Sequence, residues 1–226
     1  MREILEQMGL GKSHLHISES GLFDYSKVPY EVGRRNPRKC KTPMPLEESL
    51  SIIPDNSFAV GHLIYTKETE LLLKDFNTIF IGRDIKEVYL SFMIYQLETG
   101  RSKRYPEDRP WDTDTNPTKQ FLKFLEIRGD KLMTKYFTKI LPWTERKIPC
   151  FDYNEMQTNP LIETKWLAAL LDKKFSDDEI RSIVANSFGK ETQTLSKKKD
   201  RSTYWSALAH QKIEALIKKY KVRYPE

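Results

Sequence analysis

Residues 78–95 read Thr-Ile-Phe-Ile-Gly-Arg-Asp-Ile-Lys-Glu-Val-Tyr-Leu-Ser-Phe-Met-Ile-Tyr. The short apolar run Ile79–Ile81 breaks at Gly82-Arg83-Asp84, and a helical pattern begins at once. This spacing predicts a strand over 78–82, a tight turn, and a helix over 85–99. A helix start presents free N–H groups and the positive end of its dipole, and Arg83 adds a fork-shaped phosphate partner. Ser91 follows about two helical turns later. Arg83 and Ser91 are therefore candidates to grip one phosphate from two sides. The competing reading is a helix-capping Arg–Asp arrangement with an exposed serine.

The same punctuation continues outward. Phe58–Leu63 reads as a short strand, and Thr66–Lys74 as a helix with a capping box whose cap Thr66, Thr69 and Glu70 leave open. Helices are expected over about 118–127 and 130–141, and a strand over 147–151. Further helices are expected over 160–173, from Ser176 to about 186, and over 206–220. Asn159-Pro160 supplies a cap and first-turn pair. Strands alternating with helices through right-handed crossovers predict the α/β class, a parallel β-sheet flanked by helices on both faces. Residues 2–9 form a helix stopped by Gly9-Leu10-Gly11. Residues 12–56, with Pro29, Pro37, Pro43, Pro45 and Pro54, read as a long irregular region. Residues 100–117 read as a lid or substrate loop.

The 226 residues suffice for one well-buried α/β domain, and 1–226 is expected to form a single domain. A formal charge of +6 suits a partner carrying phosphate or sulfate, without demanding a polynucleotide; a solvated surface rich in lysine explains it as well. Cys40 and Cys150 stand far apart with no CxxC pattern, which argues against a disulfide framework or a zinc site and makes a reducing, cytoplasmic setting the expectation. No apolar run approaches a membrane span, and the N-terminus lacks the apolar core of a signal peptide.

Outside the turn, His62 is the leading candidate for chemistry. It sits at the C-terminal end of a strand, where open parallel sheets bind ligands, and a neutral imidazole there suits a general base. The alternative is a strand-end histidine satisfied by a backbone carbonyl. Residues 196–205, Ser-Lys-Lys-Lys-Asp-Arg-Ser-Thr-Tyr-Trp, combine four cations with an aromatic stop at Trp205. They fit a phosphate loop or a plain solvated run. His14 and His16 lack a third ligand at sensible spacing, so no metal is expected, and His210 reads as structural.

Taken in order, these segments resemble the sulfotransferase family that uses 3′-phosphoadenosine 5′-phosphosulfate. Gly-His-Leu at 61–63 is similar to the family's strand with its catalytic histidine. Residues 79–91 are similar to its Arg-(Asp/Asn)-Pro-x-Asp-Val-x-x-Ser segment, with Ile85 and Glu87 as mild departures. The resemblance implies that His62 is the base and that Arg83 and Ser91 hold the 3′-phosphate. Phe151-Asp-Tyr-Asn-Glu resembles the family's Tyr-Glu-Asp element, which implies Tyr153 near the adenine, and Ala185-Asn-Ser-Phe resembles its Thr-Ser-Phe element, which implies Asn186 and Phe188 facing the base. Lys198, Lys199 and Trp205 align with a cationic loop, although Asp200 stands where glycine is usual, and its Cβ and charge work against close phosphate contact. The implied fold is the P-loop-like sulfotransferase fold. The implied ligands are the sulfate donor, its product adenosine 3′,5′-bisphosphate, and a hydroxyl- or amine-bearing acceptor. Phe23, Tyr25, Tyr105 and Trp111 are weaker candidates to border the acceptor, with Tyr30 beside them.

The family's first strand and its Pro-Lys-x-Gly-Thr loop are not found in these 226 residues, and Arg2-Glu-Ile-Leu resembles the helix that follows that loop. The expectation from sequence is a domain lacking the 5′-phosphosulfate loop, with reduced or absent turnover. Losing one preorganised donor costs roughly 3–4 kcal/mol of barrier. Residues 12–17 are the nearest candidates to replace the missing strand. Two rivals remain: a non-catalytic relative that binds the bisphosphate, and a basic nucleic-acid-binding domain, which would want aromatics interleaved on a strand platform.

Overall fold

A computed structural model describes residues 1–11, 14–29, 32–33, 36–98, 110–187 and 201–222. In chain order the elements are α1 (Arg2–Gln7), β1 (Leu15–Ser18), β2 (Gly21–Asp24), β3 (Lys41–Thr42), α2 (Leu46–Ser51), β4 (Val60–Gly61), α3 (Lys67–Leu72), β5 (Phe80–Gly82) and α4 (Ile85–Glu98). Then come α5 (Pro117–Leu132), a π-helical turn (Met133–Phe137), α6 (Thr138–Ile140), β6 (Cys150–Asp152), α7 (Tyr153–Thr158), α8 (Pro160–Leu170), α9 (Asp177–Ser187) and α10 (Ala207–Tyr220). Two compact units result: Met1–Gly82 with Pro149–Lys197, and Arg83–Ile148 with Lys198–Glu226.

The first unit holds both sheets. One is four-stranded, in the order β3-β2-β1-β4; the other pairs β5 with β6 in parallel, with Gly82 opposite Asp152. The α/β class holds, but the sheet predicted to be parallel is mixed. β1 runs antiparallel to β2 and parallel to β4. The antiparallel part comes from residues 12–56, which the proline content had marked as irregular. There the hairpin Ser18-Glu-Ser-Gly21 turns the chain, and Gly21 (φ 136°) is required because a Cβ would lie 2.4 Å from the Thr42 carbonyl oxygen. Alternation sets the faces of this sheet. Ile17 and Leu22 join Leu50 in a small core, with Leu15, Ala59 and Leu63 packed against it. His16 and Phe23 point the other way.

A second core in this unit is built from Ile4, Leu5, Met8, Phe151, Met156, Leu167, Ile180 and Ile183. It fixes α1 against α9. Helix α1 ends as predicted: Gly9 (φ 82°) donates to Glu6 and Leu10 donates to Leu5, a left-handed cap that satisfies the last carbonyls.

The second unit packs α4, α5 and α10 around Tyr89, Leu90, Met93, Trp111, Phe121, Phe124 and Ile213. The helix break predicted at 128–129 is absent. α5 runs through Gly129, because Leu216 of α10 sits so close that a Cβ there would lie 2.8 Å from its Cδ1. The interruption falls instead at the π-helical turn Met133–Phe137. Among the described residues no helix is long and apolar enough to cross a membrane.

Candidate functional site

His62 follows directly on β4, and the sheet fixes its backbone. Its N–H donates to the Ile17 carbonyl of β1 at 3.0 Å, and two residues on the Ile64 N–H donates to the Glu19 carboxylate at the hairpin tip. β1 is thus the parallel neighbour of the strand that delivers His62. Within residues 12–17 and one residue beyond, Leu15–Ser18 form this strand, with His16 opposite Val60.

The His62 side chain is exposed. Protein atoms around the ring nonetheless strip enough water to lower its pKa below the ordinary imidazole value, against the field of Glu19, which raises it. At neutral pH it is an uncharged base. Its neighbour His16 lies 6.1 Å away, ring centre to ring centre, and meets Tyr25 edge-on at 4.8 Å. Arg2 of α1 donates to His16 Nε2 at 2.5 Å, which fixes the neutral tautomer with its proton on Nδ1. Burial, the Arg2 charge and His62 together hold His16 down to about 4. Phe23 stands directly across the hairpin from His16. The weak candidates Phe23 and Tyr25 are therefore gathered beside His16. Sequence reading missed Arg2 and His16; the alternation His-Leu-His-Ile at 14–17 was the available signal.

Also in the first unit, β6 ends at Asp152, whose carboxylate accepts from the Asn154 and Glu155 N–H groups at 2.6 and 3.1 Å and caps α7. Tyr153 is the first residue of that helix and is half-buried. The setting is acidic: burial, then Glu155 and Asp152, push the Glu163 carboxyl above its ordinary pKa. Asn186 is exposed in the last turn of α9, its Nδ2 3.4 Å from Ser182 Oγ. Phe188, Lys198, Lys199, Tyr105 and Tyr30 lie outside the described residues.

In the second unit, the turn predicted to bind phosphate takes the predicted form. Asp84 Oδ1 accepts the Lys86 N–H at 2.8 Å, and α4 starts at Ile85. Glu87 and Ser91, four residues apart, share one stripe of that helix, and Arg83 reaches Glu87 from the turn before it. Arg83 donates to Glu87 Oε2 at 3.2 Å, and the Arg201 guanidinium approaches the same oxygen at 3.8 Å. Two guanidinium groups therefore converge on one carboxylate, one turn before a serine hydroxyl. Arg201 was seen in sequence only as part of a charge run; its short 3₁₀ turn (Arg201–Tyr204) brings it to Glu87. Trp205 anchors that turn, edge-on to Phe121 at 5.1 Å and stacked on His210 at 4.6 Å. Trp111 is fully buried against Phe124, a core position with no open face toward a ligand.

The structure thus has a strand-turn-helix with Arg83 in its turn and Ser91 on its helix, and His62 at a strand end. The sulfotransferase domain model matches residues 46–223, most of the chain, and the chain belongs to that family. No curated protein matches it. The matched span includes His62, Arg83, Ser91, Tyr153 and Arg201, and begins after β1–β3.

Proposed function

We propose that the protein transfers a sulfuryl group from 3′-phosphoadenosine 5′-phosphosulfate to an acceptor hydroxyl or amine. The observation that carries this reading is the convergence of Arg83 and Arg201 on Glu87, one helical turn before Ser91, within a sulfotransferase domain. Arg83 and Ser91 hold the 3′-phosphate, and Arg201 adds a second guanidinium. Glu87 presents both forks while no phosphate is there. Tyr153, Asn186 and Phe188 take the adenine, and the carboxylates around Tyr153 suit its exocyclic amine better than a phosphate. Lys198 and Lys199 are assigned to the phosphates by family resemblance, and Trp205 anchors their segment.

His62 serves as general base. The acceptor oxygen forms a new S–O bond while the S–O bond to the 5′-phosphate breaks. That electron pair leaves with adenosine 3′,5′-bisphosphate, and the acceptor's proton passes to an imidazole nitrogen of His62. The lowered pKa keeps that nitrogen free at neutral pH. Charge develops on the bridging oxygen, where a preorganised cation has its greatest effect. We assign the whole chain to one such domain, acting without a metal.

Thermal unfolding with and without adenosine 3′,5′-bisphosphate tests the reading. Ligand at a hundred times its Kd adds about 2.7 kcal/mol of stability. Stabilisation by nucleic acid of any sequence, with none from the bisphosphate, would overturn it in favour of a nucleic-acid-binding domain.

A further inference from the structure

The four-stranded sheet has one face on its core and one face unused by that core, and residue types divide sharply between them. Leu15, Ile17, Leu22, Ala59 and Leu63 go to the core. Register places Lys41, Phe23, His16 and Val60 in a single row across β3, β2, β1 and β4 on the opposite face, and His62 follows Val60 by two residues on that face. The row runs from a cation through an aromatic ring and an imidazole to Val60, with the proposed base two residues further along that strand. The Lys41 ammonium lies 5.6 Å from the centre of the Phe23 ring and donates to Ser20 Oγ at 2.8 Å. Arg2 adds a second cation on His16. Among the described residues neither Arg2 nor Lys41 has a carboxylate partner within ion-pair distance. Glu19, the acid at this end of the hairpin, is engaged by the Ile64 N–H.

We propose that this face is the acceptor site, and that it takes an acidic disaccharide: a reacting hydroxyl at His62, a ring over His16 and Phe23, and a carboxylate or sulfate at Lys41. The inference rests on His62 being the transfer base. Span sets the size. Neighbouring strands lie about 4.8 Å apart, so the three steps from β4 to β3 cover about 14 Å. His62 stands two residues, about 6.6 Å, beyond that row along its strand, and the rings of His16 and Phe23 intervene between it and the Lys41 ammonium, which suits two sugar rings rather than one. Chemistry sets the class. Flat ring faces flanked by the Ser18 and Ser20 hydroxyls suit a polyhydroxylated ring. Cations without a carboxylate partner select an acid over its neutral counterpart. Burial first, and then Arg2, hold His16 uncharged beside the base. The strands that carry Lys41, Phe23 and His16 precede the span matched by the family model, so this selectivity belongs to the chain's own N-terminal strands.

The test follows the His16 and His62 imidazole resonances by NMR. The full chain is titrated with a disaccharide bearing one glucuronate, with the neutral disaccharide of the same linkage, and separately with adenosine 3′,5′-bisphosphate. The acidic disaccharide should shift both imidazoles and bind at least tenfold more tightly than the neutral one. Lys41→Gln should erase about tenfold of that preference with the circular dichroism spectrum unchanged. Equal affinity for the two disaccharides, no shift of either imidazole, or a preference that survives K41Q would overturn the proposal. The bisphosphate arm reports on the donor site alone. Its failure would count against the transfer reading, and the saccharide arms would still decide what this face binds.

Discussion

Replacing Arg83 by Gln separates the phosphate clamp from an ordinary surface ion pair, because the two roles differ in size and in ligand dependence. Without nucleotide, the Arg83–Glu87 pair joins side chains that are 21% and 31% exposed, so it contributes no more than about 1 kcal/mol. Glu87 also keeps Arg201 at 3.8 Å. The free variant should therefore melt within about 4 °C of the parent. With nucleotide, the lost contact is a charge-assisted bond to phosphate, about 1.5–3 kcal/mol, or roughly a 10- to 150-fold rise in Kd. At the concentration where the parent gains about 2.7 kcal/mol from adenosine 3′,5′-bisphosphate, a variant binding about thirtyfold more weakly gains only about 0.9. Differential scanning calorimetry with and without the bisphosphate reads both quantities. Arg83→Lys should fall between, since it keeps the charge and loses the fork. A full ligand-induced shift in R83Q would show that Arg83 is merely a helix-start residue.

Three further outcomes are expected from the geometry. His16 has its folded pKa held below its unfolded value. Its contribution to stability is thus complete above about pH 6.5 and is lost as pH falls toward 4, by at most about 3 kcal/mol, reduced by screening at this partly exposed ring. In urea denaturation, His16→Asn should flatten the decline between pH 7 and 4.5, and superimposable profiles would remove His16 from the explanation. His62→Gln should leave bisphosphate affinity within about twofold while lowering sulfuryl transfer by roughly 10²–10⁴, the usual yield of a general base; equal transfer in both proteins would exclude the base role. Tyr89→Phe deletes the hydroxyl that donates to the Gly129 carbonyl at 2.8 Å inside the second unit. It should cost about 1–2 kcal/mol in chemical denaturation, and an unchanged midpoint would show that the bond contributes nothing net.

Features that depend on local chemistry were legible in the sequence. Gly82-Arg83-Asp84 announced its turn because an apolar run stops there and an acid caps the next helix, and α4 begins within a residue of expectation. Asn159-Pro160 likewise located α8, although the Asn159 side chain makes no cap hydrogen bond, and α10 begins within a residue of the expected 206. Thr66 settled the cap that sequence left open, accepting the Thr69 N–H. Contacts distant in sequence were hidden. The N-terminal strands are only two to four residues long and lie among prolines, so propensity alone made them look irregular. They exist because β4 and the small core around Leu50 give them partners. Gly129 looked like a helix break because its helical role depends on Leu216, far along the chain on another helix. Of the proposed site residues, His62, Arg83 and Ser91 could be named from their settings. Arg201 and the Arg2–His16 pair could not, since each becomes meaningful only through the residue it meets. Trp111 shows the opposite error: a tryptophan in a polar stretch suggested a ligand face, but its side chain fills a core.

The most direct measurement is a side-by-side calorimetric titration of the full chain with adenosine 3′,5′-bisphosphate and with adenosine 5′-monophosphate. The two ligands differ only at the 3′-phosphate, the group assigned to Arg83, Ser91 and Arg201. Binding of the bisphosphate at least tenfold more tightly is the expected result. Equal affinities would contradict the assignment of Arg83 and Ser91 as a 3′-phosphate clamp.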